Sequence, residues 1–146
     1  AALAVIFLKQ FGRGGATRVR QAVSFLHDRA LAGGGWNYGE PQVLGGNLYP
    51  AILPTALALS ALADEQNDIT ADALDWLLAQ QGQISSLLSL GWAAVTLNVL
   101  GLLNDQWYSD ILNLWDQSPA NRRGNLETAL CLLGLTESSD HPLSVV

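Results

Sequence analysis

The stretch 33-GGGWNYGEPQVLGGNLYPAILPTALALSAL-62 runs from a loop crowded with glycine and aromatic residues into an apolar segment without a single charge. A helix that is apolar nearly all round is stable in water only when both of its faces are covered by other protein. The end of this segment, Thr55 to Leu62 (TALALSAL), recurs as Val95 to Leu102 (VTLNVLGL) and as Thr128 to Leu135 (TALCLLGL). The opening Ala1 to Leu8 (AALAVIFL) has the same character. These four segments read as inner helices.

Segments of a second kind lie between them. Ile69, Ala73, Trp76 and Leu77 stand at i, i+4, i+7 and i+8, and so do Trp107, Ile111, Leu114 and Trp115. That spacing is one face of a helix, and the opposite face carries Asp72, Asp75, Gln106 and Asp110. Ala22, Phe25 and Leu26 repeat three of the four positions, with Arg20 on the polar side. These are outer helices. Asp68 or Thr70 is placed to cap the second of them, and Asn125 to cap the last inner helix, with Glu127 in its first turn. Gly12, Gly82 and Gly124 separate the pieces.

No segment alternates with period two long enough to predict a convincing strand, so the class is all-α. Two helix types alternating at roughly 33 to 40 residues predict stacked helical hairpins, each needing its neighbours to bury its apolar face. About seven main helices are expected in a single domain over residues 1–146, with repeats at about 1–30, 50–81, 86–118 and 125–135 and a long Gly-rich loop at 31–50. A loop of that length in a compact domain is usually functional or disordered. It reads as a covering segment, stiffened by Pro41, Pro50 and Pro54 and hinged at Gly45-Gly46, that ends by positioning Tyr49.

Hydrophobic residues make up 49% of the chain and charged residues 14%, so an unusual share of helix surface must face protein. The net charge is −6 and the isoelectric point about 4.5, which argues against a nucleic-acid partner. The cations are asymmetric: Lys9, Arg13, Arg18, Arg20 and Arg29 lie early, Arg122 and Arg123 late, and no Lys or Arg lies between. Ile84 to Leu103 carries no charge and is long enough to cross a bilayer. Its Ser85, Ser86, Ser89, Thr96 and Asn98, and its place in the repeat, predict a buried helix instead. The absence of an initiating Met and of a signal segment points to a chain that begins inside a longer protein or after processing. The compartment stays open.

Gly34-Gly35-Trp36-Asn37-Tyr38-Gly39 followed by Pro54-Thr55-Ala56-Leu57-Ala58-Leu59-Ser60-Ala61-Leu62 resembles the repeat of the prenyltransferase and squalene-cyclase (terpenoid cyclase-like) superfamily. In that family a Gly-Gly-Trp-type turn leads into an inner helix of Thr-Ala-Leu character. Gly91-Trp92 before Val95-Thr96-Leu97 is similar, and Ala73-Leu74-Asp75-Trp76-Leu77-Leu78 with Gln80-Gln81 resembles the outer helix. The third repeat keeps only Gly124-Asn125 before Thr128-Ala129-Leu130. The resemblance implies an α/α toroid, of which four inner-type and three outer-type segments amount to roughly half a ring.

The chemistry of the resembled enzymes is not visible. Their Asp-rich acid motif has no match in Asp64-Glu65-Gln66-Asn67-Asp68, which reads as a solvated turn and helix cap. Zinc-binding relatives use Asp, Cys and His; Cys131, Asp140 and His141 invite the comparison, but no D-x-C pairing exists and Cys131 reads as a small core residue. The Gly-rich loop lacks the Lys of a phosphate-binding loop. No metal or cofactor is expected, and whether the chain is an enzyme stays open.

The candidate ligand-binding residues are Trp36, Tyr38, Tyr49 and Trp92, each near the start of an inner helix. Aromatic walls there suit an apolar, isoprenoid-type small molecule. Trp36 and Trp92 as wedges between hairpins, and Trp76, Trp107 and Trp115 as outer-layer packing, are the structural alternative. A half ring further implies bare flanks, hence self-association or a partner domain that completes the ring, with Val5, Phe7, Phe11, Leu132 and Leu135 expected at the contact. The alternative function is a non-enzymatic helical scaffold.

Overall fold

A computed structural model of the chain describes residues 1–40, 42–43 and 46–136. The expected roles of Pro41, Gly45, Asp140 and His141 lie outside the described residues. Seven α-helices follow in order: α1 (Ala2–Gln10), α2 (Thr17–Asp28), α3 (Ile52–Ala61), α4 (Asp68–Leu78), α5 (Leu87–Val99), α6 (Asp105–Gln117) and α7 (Asn125–Gly134). A 3-10 turn, Ala120–Arg122, precedes α7. The strand content described is a two-residue ladder in the long loop, Gln42 opposite Asn47 and Val43 opposite Gly46.

The helices pack in two rows. In the inner row α1 meets α3, α3 meets α5, and α5 meets α7; in the outer row α2 lies on α1, α4 on α3 and α6 on α5. The chain alternates between rows, so every inner helix after the first is reached through an outer one. Trp107, Ile111, Leu62, Leu77, Leu90 and Leu97 are fully buried in the core between the rows.

Small and polar side chains set the spacing within the inner row. A Cβ on Gly91 would stand 2.8 Å from Leu130 Cβ, and one on Gly134 would stand 2.7 Å from Ala94 Cβ. Both numbers lie inside van der Waals contact, so these two glycines let α5 and α7 approach backbone to backbone. The paired positions rise together along the two helices, which makes α5 and α7 parallel. Thr96 Oγ1 lies 2.9 Å from Ala56 O and 2.8 Å from Trp92 O. With its one proton given to a carbonyl, Thr96 accepts from the Ser60 hydroxyl at 2.8 Å. Asn98 Nδ2 donates to Gly134 O at 3.0 Å and to Thr136 O, satisfying carbonyls at the end of α7. These buried polar groups are thus spent between neighbouring inner helices.

The helix ends differ from the sequence reading in three places. α4 is capped by Asn67, whose side chain accepts from Thr70 N while Thr70 Oγ1 accepts from Asn67 N; Thr70 completes the capping box and Asp68 is the first helical residue. α7 is preceded by Gly124, so Asn125 lies inside the helix and caps nothing. α5 ends before Gly101, whose φ of +69° closes the turn with Leu102 N donating to Leu97 O at 2.7 Å. The third inner helix starts at Leu87, in keeping with a repeat from about residue 86, and stops short of Leu102.

Ile84 to Leu103 contains α5, 13 residues long, and among the described residues no helix is long and apolar enough to cross a membrane. Asp72, Asp75 and Gln106 are solvated as expected, whereas Asp110 is half-buried: Oδ1 accepts from Gln106 Nε2 at 2.9 Å and Oδ2 is enclosed without a partner. Phe7, Phe11 and Leu132 are exposed, but Val5 is fully buried and Leu135 partly so. Val5 lies about 200° around α1 from Phe7, on the side that meets the core, because successive residues turn by about 100°.

Candidate functional site

The Gly-Gly-Trp turn is held from three directions. Leu31 N donates to Gly35 O at 2.9 Å and Gly34 N to Leu31 O at 3.0 Å, which folds the chain back after α2. Gly34 and Gly35 take φ of +85° and +80°, a region that only glycine enters without strain. Both are also pressed against other elements. A Cβ on Gly34 would stand 2.5 Å from Asp72 O in α4, and one on Gly35 2.7 Å from Thr55 Oγ1 in α3.

The next residue is clamped. Trp36 N donates to Thr55 Oγ1 at 2.9 Å, and the same hydroxyl donates to Trp36 O at 3.2 Å. Only a side chain that is donor and acceptor at once closes this pair, which gives a physical reason for threonine at position 55. The indole Nε1 donates to Leu26 O at the end of α2, 2.7 Å away, and Ala51 N donates to Trp36 O at 2.8 Å. The ring is buried and locked between α2 and α3.

That ring forms part of the wall of an apolar groove of about 360 Å3. The start of α1 (Leu3), the end of α2 (Phe25, Leu26) and the first turns of α3 (Leu53, Leu57, Ala58) line the rest, with Tyr38 at the rim. Among the described lining residues Arg29 is the one with a charged side chain; it pairs with Glu40, and its guanidinium lies 4.8 Å over the Phe25 ring. Asn37 shapes the rim, its Oδ1 accepting from Gly39 N at 2.9 Å and its Nδ2 donating to Glu40 O at 3.2 Å.

Of the four aromatic residues singled out by sequence, the groove gathers two. Trp36 is in its wall, and Tyr38, 77% exposed, is at its mouth. Tyr49 is 89% exposed and does not line it. Trp92 is partly buried inside α5, past its first turn, and also lies away from it. Phe25, Leu53, Leu57 and Arg29 were not legible as lining residues. Phe25 occupies a packing position of the outer-helix pattern, yet it is 48% exposed, on the groove side of α2.

A second cleft, at the opposite end of the first two hairpins, gathers Lys9, Arg20, Ser24, His27, Asp64 and Glu65. Lys9 Nζ donates to Ala61 O at 2.8 Å and pairs with Asp64. His27 Nε2 sits 2.9 Å from Glu65 Oε2, close enough for an ion pair although not aligned for a hydrogen bond. Lys9 ties the end of α1 to Ala61 and Asp64, so this cleft works as a staple between α1 and the turn after α3.

Cys131 is buried in α7, and burial first, then the nearby Glu127 carboxylate, push its thiol above the ordinary value. A neutral thiol is a poor nucleophile and a poor metal ligand. Among the described residues no three His, Cys, Asp or Glu side chains gather closely enough to hold a metal ion. Compared with known proteins, the chain matches no family model, no curated protein and no solved structure.

Proposed function

We propose that this chain is a diverged repeat domain of the terpenoid cyclase-like α/α kind, about half of a ring, whose groove binds the end of an apolar, isoprenoid-type chain. The observation that carries the reading is the groove itself, an apolar trough whose aromatic wall is fixed before any ligand arrives. Trp36 contributes its indole without loss of side-chain freedom on binding, because three hydrogen bonds already hold the residue in place. A volume of about 360 Å3 falls at the low end of small-molecule sites, which run from roughly 300 to 1,000 Å3. It suits a short chain better than a squalene-sized one. Among the described lining residues there is no Asp or Glu to protonate an alkene, so the reading is one of binding.

Titration with farnesol, followed by tryptophan fluorescence, tests it. The expected result is a saturable change at one site per chain, lost in Leu57→Arg, which places a charge in the trough at a partly exposed position. The Trp36→Phe variant identifies the reporter, since its signal is expected to vanish while calorimetric binding persists. A wild-type protein that shows no saturable heat or fluorescence change with farnesol contradicts the reading. The alternative, a helical scaffold, is favoured by a separate observation, the exposed apolar edges of the inner row.

A further inference from the structure

We infer that the apolar chain bound in this groove ends in a carboxylate, which Arg29 holds at the rim; this rests on the proposed function and names the polar end of its ligand. Arg29 is the C-cap residue of α2 and lines the groove, with its guanidinium over the Phe25 ring. A guanidinium stacked on an aromatic face keeps its N–H fork free to point along the surface. The pair with Glu40 is made through Nη1. The group carries further donors on Nε and Nη2, so one carboxylate does not exhaust it. Glu40 itself shows that a carboxylate reaches the fork, and its side chain is 61% exposed. An ion pair so open to water contributes little to stability, so sharing Arg29 with a ligand, or giving up Glu40 for it, costs the fold little.

The backbone around the groove favours an anion as well. α3 enters the lining by its first turn, at Leu53 and Pro54, and that turn carries neither a side-chain cap nor an acidic residue. An uncapped helix start of this kind presents a partial positive charge of about half a unit. The carbonyl end of α2, which would act against an anion, is already bonded. Leu26 O accepts from Trp36 Nε1 at 2.7 Å and from Arg29 N at 3.2 Å, and His27 O accepts from Ala30 N at 3.1 Å. One guanidinium and one helix start balance about a single negative charge. That suits a monoanion, and it leaves a diphosphate short of partners among the described lining residues, where Arg29 is the one cation. Among monoanions a carboxylate matches the planar fork.

Calorimetric titration with farnesoate and with farnesol, at about pH 8 where the acid is ionised, tests this. The two ligands share one chain and differ in the end group. The wild type is expected to bind farnesoate about tenfold more tightly, the difference between a charge-assisted and a neutral hydrogen bond. Arg29→Gln is expected to bring the two affinities together by weakening farnesoate alone. Glu40→Gln, an exposed change that removes the competing carboxylate, is expected to tighten farnesoate several-fold and leave farnesol as it was. A merely structural role for the pair would move both ligands alike. Equal affinities in the wild type, an unchanged farnesoate affinity in Glu40→Gln, or a preference that survives Arg29→Gln in protein shown folded by circular dichroism overturns the inference and leaves the groove as a site for apolar chains. Heat from neither ligand overturns both. If Arg29→Gln does not fold, the wild-type and Glu40→Gln titrations decide the matter without it.

Discussion

Ala58→Asp and Leu130→Asp are each expected to abolish cooperative unfolding, leaving a chain with no folded baseline at room temperature. Ala58 lies in α3 and Leu130 in α7 against Gly91, and both are buried. Arg29, the cation that shares a groove with Ala58, is already paired with Glu40. Burying an unpaired ion costs several kcal/mol after relaxation, against a total stability of about 5 to 15 kcal/mol for a domain. The change also lands in the inner row, where a displaced α3 loosens α1 and α5, and a displaced α7 loosens α5. The control is Leu112→Asp on α6, at a position 55% exposed, expected to stay within about 0.5 kcal/mol of the wild type. Thermal melts by circular dichroism read all three. Equal shifts across the three variants would mean that inner and outer positions have been exchanged.

Gly35→Ala is expected to destabilise the domain by about 2 to 5 kcal/mol, the sum of a left-handed backbone penalty and overpacking against Thr55. The added methyl group meets the hydroxyl that clamps Trp36, so turn, clamp and groove wall fail together. Two residues earlier the sign reverses. Gly33 has open space around it and no positive φ, so Gly33→Ala is expected to raise stability by about 0.4 to 1 kcal/mol through a less flexible unfolded chain. Urea denaturation of the two variants separates the cases. A Gly35→Ala protein as stable as the wild type would show that the turn is not pinned to α3.

Gly34 and Gly35 explain why the opening stretch is so informative. Gly34-Gly35-Trp36 and Thr55 are 19 or more residues apart, yet the chemistry of each residue type fixes a contact: positive φ, close approach, and one hydroxyl that both gives and takes a proton. The all-helical class and the seven helices were legible for a related reason, since segments such as Thr55 to Leu62 cannot be stable unless covered on both sides. Boundaries were less legible. The repeat was placed from about residue 86, where Ser86 caps the helix by accepting from Ser89 N, but its end was set at Leu102, and the helix stops at Val99. Gly91 carries a tight interhelical contact that its sequence context, Gly91-Trp92, had read as a turn. The groove was half legible. Trp36 and Tyr38 announce themselves, but Phe25, Leu53 and Leu57 look like core, and in the fold Phe25 is exposed while Leu53 and Leu57 are only partly buried. Tyr49 looked like the end of a positioned loop, and it projects into solvent.

The claim on which the rest depends is that inner helices lie side by side in parallel, with α5 against α7 and the outer helices excluded from between them. A nuclear Overhauser spectrum of the folded protein measures this directly. The account predicts cross-peaks from Gly91 Hα to the Leu130 side chain and from Gly134 Hα to the Ala94 methyl group, whose positions leave no room for an intervening side chain. An assigned spectrum that lacks both, with α6 side chains in contact with α5 and α7 alike, would place the helices in sequence order and contradict the two-row arrangement.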